Sequence, residues 1–468
     1  MSDHDRCDCS RRSFLRGAGL TLAGFGLHSL LPGAFVRQAL ASGPFSNKRL
    51  LFIFLRGGND GINTVIPAGD PDYNTINRPT LYIPNASSLD LGNGFARLHP
   101  ALAELLPVFS SGDLAVVHRA GFPNNTKSHF DDQRIWENGD PAQPNLFEGW
   151  LYRYIEENTV SAGVLLPALS VQGNQPVLLR GQEPFVNIAN PGFFDYYYTT
   201  DPKRSKLKGS WDGQYTNLTG LEPYRPLLTQ TSIKLVDTLD EYRSWSQQTW
   251  DPKDPNTGFS LFPVDAATNP PGPPGPFSTS SFGFFRALKV CALSLLESDA
   301  VNNNGTRVAG CELGGFDTHN AQGAATGAQA NLLSWLAYGL KSLQIVLSGA
   351  ANDPRGYPAI WDDTVVTTLS EFGRTTKENG SIGSDHAAAS CLFIAGGAVN
   401  GGVYNCDAGT WPTGVMFGDA GRYLLVHSDY RAIFWEILRD HMGADPATVD
   451  AVFPGYSSLG LTELGLIG

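Results

Sequence analysis

Residues 49–63 read RLLFIFLRGGNDGIN, and this stretch decides the fold class. Leu50 to Leu55 is a short apolar run that stops at Arg56-Gly57-Gly58-Asn59-Asp60-Gly61. A run of that length bounded by glycines is the pattern of a fully buried strand. The glycines permit a sharp turn and a close approach of backbone to whatever sits there. Asp60 is thereby expected at the carboxyl end of a buried strand, where open α/β sheets keep their ligands. The same residues also describe a tight turn with Asp as a turn residue. What favours the functional reading is that the pattern recurs down the chain.

Leu114 to His118 is a second such run, leading into the polar loop Pro123 to His129. A helix is expected from there, with Ser128 as its N-cap, at a position where free N–H groups and the dipole favour an anion. Arg307 to Leu313 runs into Gly314-Gly315-Phe316-Asp317-Thr318-His319, and Thr364 to Leu369 into Ser370-Glu371-Phe372-Gly373-Arg374-Thr375. Gly383-Ser384-Asp385-His386 precedes a fifth candidate strand, Ala388 to Ala395. Helical patterns cover Leu98–Phe109, Phe282–Leu296, Ala328–Leu347 and Tyr430–Met442. Strands separated by helices predict an α/β fold, a doubly wound and mostly parallel sheet flanked by helices. Such a sheet lines up its strand ends along one edge, so Asp60, Ser128, Asp317, His319, Glu371, Asp385 and His386 are expected to meet. Residues 140–280 differ in texture, with aromatic runs such as Phe193 to Tyr198, an amphipathic helix pattern at Asp237–Trp245 and the proline-rich NPPGPPGPF at 269–277. They are expected to form an insertion or cap over a core made of 42–139 and 281–468.

The N-terminus reads as a targeting segment. Ser10-Arg11-Arg12-Ser13-Phe14-Leu15-Arg16 has the form of a twin-arginine export motif, a weakly apolar stretch follows, and Ala39-Leu40-Ala41 fits a small-x-small cleavage site. Residues 1–41 are therefore expected to be removed, leaving a periplasmic or secreted protein. The net charge is −12 and the first 41 residues carry five Arg against three Asp, so the remainder is near −14. That balance argues against nucleic acid and anionic membrane as partners. No stretch after the signal is expected to span a membrane. Of six Cys, four lie beyond the signal, and Cys391–Cys406, the nearest pair in sequence, is the expected disulfide in an oxidising compartment.

Nine His less His4 and His28 leaves seven in the mature chain, two of them beside Asp in glycine-flanked loops, at Asp317-Thr318-His319 and Asp385-His386. Carboxylate with imidazole suits Zn²⁺ or Mn²⁺, with Ca²⁺ or Mg²⁺ as harder alternatives, in a site of one or two ions. The candidate ligands are Asp60, Ser128, Asp317, His319, Glu371, Asp385 and His386. Two ions would clamp the attacking and leaving oxygens of a displacement at phosphorus or sulfur, with Ser128 as nucleophile. Arg56 or Arg374 would hold the remaining oxyanions, and His129 is a candidate substrate-facing or ligand-orienting group. Against this, an Asp beside a His can simply orient it, and Arg374 can be an ordinary ion-pair partner. No Gly-x-Ser-x-Gly elbow supports a Ser-His-Asp hydrolase, and no Gly-x-Gly-x-x-Gly opens a helix after residue 57.

Together, Phe54-Leu55-Arg56-Gly57-Gly58-Asn59-Asp60-Gly61, Ser128-His129-Phe130, Gly314 to His319, Ser370 to Thr375, Asp385-His386 and the late Ser428-Asp429-Tyr430-Arg431 resemble the DUF1501 family of exported bacterial proteins. That family in turn is distantly similar to the alkaline phosphatase/sulfatase superfamily. The resemblance implies an alkaline phosphatase-like core. It makes Asp60 a first metal ligand, Ser128 the nucleophile, Asp317 and His319 ligands of the other ion, Glu371 a ligand replacing an aspartate, and His386 the late histidine. Phe372 stands where the superfamily has a histidine, which weakens the second site. The absence of Cys-x-Pro-x-Arg excludes formylglycine-type chemistry. The implied activity is metal-dependent hydrolysis of a small-molecule or glycan phosphate or sulfate ester. The alternatives are a non-catalytic binding or assembly protein, and an isomerase or transferase of the same superfamily.

Overall fold

A computed structural model of the chain describes residues 47–158, 167–182, 185–190, 250–300 and 305–468, together with positions 206, 209 and 210. The expected signal (1–41), the aromatic run 193–198 and the helix at 237–245 lie outside these residues.

The stretch quoted above forms β1 (Arg49–Arg56), buried at all but its last residue. Eight more strands join it: β2 (Leu114–Gly121), β3 (Ala168–Val171), β4 (Val186–Asn187), β5 (Val308–Gly314), β6 (Thr364–Leu369), β7 (Ser390–Ala395), β8 (Gly402–Tyr404) and β9 (Ser428–Asp429). Their order is β8-β2-β7-β6-β1-β5-β3-β4, with β9 also on β2. β1 sits inside, parallel to β5 on one side and β6 on the other.

Side chains alternate across the sheet, and both faces of β1 are apolar. Leu51, Ile53 and Leu55 pack with α3 (Phe282–Ala300) and α4 (Ala328–Leu347). Leu50, Phe52 and Phe54 pack with α1 (His129–Asn138), α2 (Trp150–Glu157) and α5 (Tyr430–Glu436). This is the helix-covered arrangement that a parallel sheet requires, and each buried Leu or Phe contributes about 1.5–3 kcal/mol.

The sheet is largely parallel, as expected, and four features qualify or correct the other expectations. First, β7 runs antiparallel to both β6 and β2, whereas the other strands share one direction. Residues before β7 therefore lie at the same edge as residues after the parallel strands, which is how Asp385-His386 reaches that edge. Second, part of 140–280 is not a cap: β3 extends the sheet beside β5, β4 extends it further, and α2 packs in the core. Third, Cys291, Cys311, Cys391 and Cys406 are all buried free thiols, packed as small apolar groups. Fourth, Thr279–Glu297 is long and apolar enough to cross a membrane, although most of it is buried within the fold.

Candidate metal centre

The loop after β1 turns through Gly57 (φ 115°) and Gly58 (φ 78°). A Cβ on Gly57 would lie 2.3 Å from the backbone nitrogen of Asp317, and one on Gly58 would lie 2.3 Å from the Phe372 ring. Glycine thus lets three strand-end loops close on one another. Arg374 stitches them together. Buried, it donates to Gly58 O at 2.7 Å, to Ser384 O and Phe316 O at 3.0 Å, to Gly57 O, and to Asp317 Oδ1 at 2.7 Å. Gly373–Arg374 also pairs antiparallel with His386–Ala387, setting Arg374 opposite His386.

Three imidazoles converge on the fixed Asp317. His319 Nε2 lies 3.1 Å and His386 Nε2 3.3 Å from Asp317 Oδ1, and His129 Nε2 lies 3.4 Å from Oδ2. His129, Asp317 and His386 can each turn one ligand atom to a common point, all within 4.8 Å of one another. His319 adjoins them, its Nε2 2.8 Å from that of His386.

Each ring is held from behind through Nδ1. His129 faces Glu371 Oε1 at 2.9 Å, His319 faces Asp385 Oδ1 at 3.0 Å, and His386 faces the carbonyl of Lys127 at 2.8 Å. A carbonyl only accepts, so His386 Nδ1 carries a proton, and the neutral form of the ring, which burial favours, would offer its Nε2 lone pair to a metal. The same tautomer in His129 and His319 satisfies Glu371 and Asp385. Phe372 packs on the rings of His129 and His386, with centroids 4.8 and 4.3 Å away. Acceptors behind ligating imidazoles are the usual accompaniment of a metal, because they leave the Nε2 atoms to face one point. Two buried atoms at the site, His129 Nε2 and Glu371 Oε2, have no hydrogen-bond partner, which also fits a cation.

Partial burial pushes the Asp317 carboxyl up, but the Arg374 hydrogen bond and charge, with His386 and His129, outweigh it and hold the pKa at about 2. The hydrogen bond that His129 donates to Glu371 raises the His129 pKa against its burial, while burial lowers that of His386. Asp317 and His319 side chains are 47% and 42% exposed, so the cluster opens to solvent.

The remaining expected site residues have other partners. Asp60 is buried: burial raises its pKa, but Arg78, Gln322 and Asn63 lower it further. Its oxygens take Arg78 at 2.6 and 3.1 Å and Gln322 Nε2 at 2.7 Å. A guanidinium therefore stands where the resemblance sets a metal ion, and Asp60 is not brought to the cluster. Glu371 and Asp385 hold the rings of His129 and His319 from behind. Arg56 is committed to Glu137 at 2.5 Å and Glu312 at 3.1 Å, and Arg374 to the contacts above, which leaves neither as an oxyanion clamp. Ser128 is the N-cap of α1, as its sequence context suggests, accepting from Asp131 N. Its hydrogen bonds join it to Thr126, Asp131 and Asp132, none of them in the cluster.

Three participants escaped the sequence reading. Arg78 lies in a Pro- and Asn-rich loop with no periodic signal, Gln322 follows the Asp317-Thr318-His319 motif by three residues, and Lys127 acts through its backbone. Only Gln322 was within reach of inspection, by its nearness to that motif.

The family described as "Protein of unknown function (DUF1501)" matches residues 292–413, which supports the resemblance to that family and spans Asp317, His319, Glu371, Arg374, Asp385 and His386. No curated protein and no solved structure matches the chain.

Proposed function

We propose that the chain is an exported, metal-dependent hydrolase of phosphate or sulfate esters. One divalent transition metal, Zn²⁺ or Mn²⁺, is held by His129, Asp317 and His386 with His319 beside them. The observation that carries the reading is the convergence of three back-supported imidazoles on one carboxylate. A metal there would supply a Lewis acid that polarises an ester oxygen and eases ionisation of an oxygen nucleophile. The chain's own part is to orient the ligands: Arg374 fixes Asp317, Glu371 and Asp385 fix two rings, and Phe372 holds water off two ring faces. Ser128, next in sequence to His129 at a helix N-terminus, is the proposed nucleophile. Export rests on the twin-arginine pattern at 10–16.

The test is a screen of aryl phosphate and aryl sulfate esters with protein loaded with Zn²⁺ or Mn²⁺, beside a His129→Ala/His386→Ala variant. Turnover that requires both metal and histidines supports the hydrolase. A second reading, a metal-holding binding protein, is favoured by the commitment of Arg56 and Arg374 to other partners. It expects stoichiometric metal with no turnover of any ester.

A further inference from the structure

With Arg56 and Arg374 engaged, the cations available to an anionic ester lie elsewhere. Lys127 Nζ sits 4.7 Å from the centre of the Tyr423 ring, and the Arg422 guanidinium sits 5.4 Å from the same ring. Both residues are tied to the cluster. The carbonyl of Lys127 holds His386 at 2.8 Å. Arg422 reaches Asp385 Oδ2 at 3.3 Å, and Asp385 holds His319 through its other oxygen. Arg422 is 58% exposed at its side chain and can turn from Asp385 toward an incoming anion. Lys127 is fixed from below. Its backbone takes φ 60°, and Asp132, buried, accepts from Lys127 N at 2.7 Å and from Thr126 N and Oγ1 at 2.8 Å. That brace holds the residue in a conformation unusual for anything but glycine.

We infer that Lys127 and Arg422, both near Tyr423 and each in contact with a residue of the cluster, form the subsite that binds the non-bridging oxygens of a tetrahedral oxyanion, phosphate or sulfate. The inference rests on the proposed metal reading and deepens it. Asp317, Asp385 and Glu371 balance Arg374, Arg422 and Lys127 in the bare site, so a bound metal adds the net positive charge that holds the oxyanion. Arg supplies a forked donor for two oxygens, and Lys a compact point charge. Both cations lie close to the Tyr423 ring, whose face favours positive charge.

The experiment is calorimetric titration of the full chain with inorganic phosphate and, separately, sulfate, with and without one equivalent of Zn²⁺. It is repeated with Lys127→Met, Arg422→Met and the double variant, each first checked for metal content and thermal midpoint. Binding that appears only with Zn²⁺ and weakens about tenfold in each single variant, at unchanged metal content, supports the subsite. Restoration by Lys127→Arg and Arg422→Lys supports a charge role over a packing one. Unchanged affinity in the double variant, at full metal content, overturns the subsite and leaves the metal reading standing. Failure of the wild type to take up Zn²⁺ overturns both. Whichever of phosphate and sulfate binds more tightly to the Zn²⁺ form, by a margin the double variant removes, identifies the ester class.

Discussion

The Nε2 atoms of His319 and His386 lie 2.8 Å apart, with Asp317 Oδ1 3.1 and 3.3 Å from them. With His386 protonated on Nδ1 toward Lys127 O, its Nε2 is an acceptor that a proton on His319 Nε2 or a metal ion can satisfy. The two residues are 67 apart in sequence. They meet because one follows a parallel strand and the other precedes the single reversed one.

Removing support behind a ring should weaken metal binding without destroying the fold. Glu371→Gln keeps the size of the side chain but loses its charge toward His129, and Asp385→Asn does the same for His319. Each is expected to lower Zn²⁺ affinity about 10–100-fold, measured by competition with a chromogenic chelator.

Asp60 should behave as a structural anchor. Arg78→Ala leaves a buried carboxylate unpaired, a change worth about 3–5 kcal/mol. A large fall in the denaturation midpoint is expected, measured in urea, with the surviving folded protein still binding metal. Loss of metal at unchanged stability would return Asp60 to the ligand set.

Acid should destabilise the fold through two buried neutral histidines. Burial, with the Arg119 charge, pushes the His118 pKa down to about 3, and burial takes His441 down to about 4. His118 Nε2 donates to Val65 O at 3.0 Å, and His441 Nε2 faces Arg49 O at 3.1 Å. In the unfolded chain both titrate near pH 6.5. The unfolded state therefore binds more protons below that pH, and stability falls as pH drops from about 6.5 toward 4 and 3. The slope approaches about 1.4 kcal/mol per pH unit for each group. Thermal midpoints across this range should show it, and His118→Gln should flatten it.

Gly57→Ala should break the site from the backbone side. The new Cβ would meet the Asp317 amide at 2.3 Å in a conformation (φ 115°) that L side chains avoid. Destabilisation of about 1–3 kcal/mol from the backbone alone is expected, accompanied by weaker metal uptake, both read on the purified variant.

Ser128→Ala separates the cap from the nucleophile. Loss of the N-cap costs about 1 kcal/mol and leaves metal content unchanged. If Ser128 attacks the ester, turnover disappears; turnover that persists within twofold assigns the attack to another group.

The core of the fold was legible because an apolar run of strand length between glycine-rich loops has few other solutions. Asp317, His319 and His386 could be grouped for the same reason. The direction of β7 was not legible, since a run such as Ser390 to Ala395 carries no sign of which way it points. Asp60 looked like a ligand because its partner Arg78 lies in an irregular loop, and only the tertiary structure sets the two together. His129 was absent from the expected ligand set, because nothing in the sequence shows that its ring, next to Ser128 at the helix start, meets Asp317. β3 and β4 are short strands, β4 at the edge of the sheet, within an aromatic-rich region, where period-two alternation has too few residues to show.

The most direct test of the proposed metal centre is elemental analysis of the protein expressed from its full-length sequence, beside the folded His129→Ala/His386→Ala variant. The structure predicts about one equivalent of a divalent transition metal in the wild type and loss of most of it in the variant. A wild type free of transition metal, still folded and with the same thermal midpoint after chelation and Zn²⁺ addition, would contradict it.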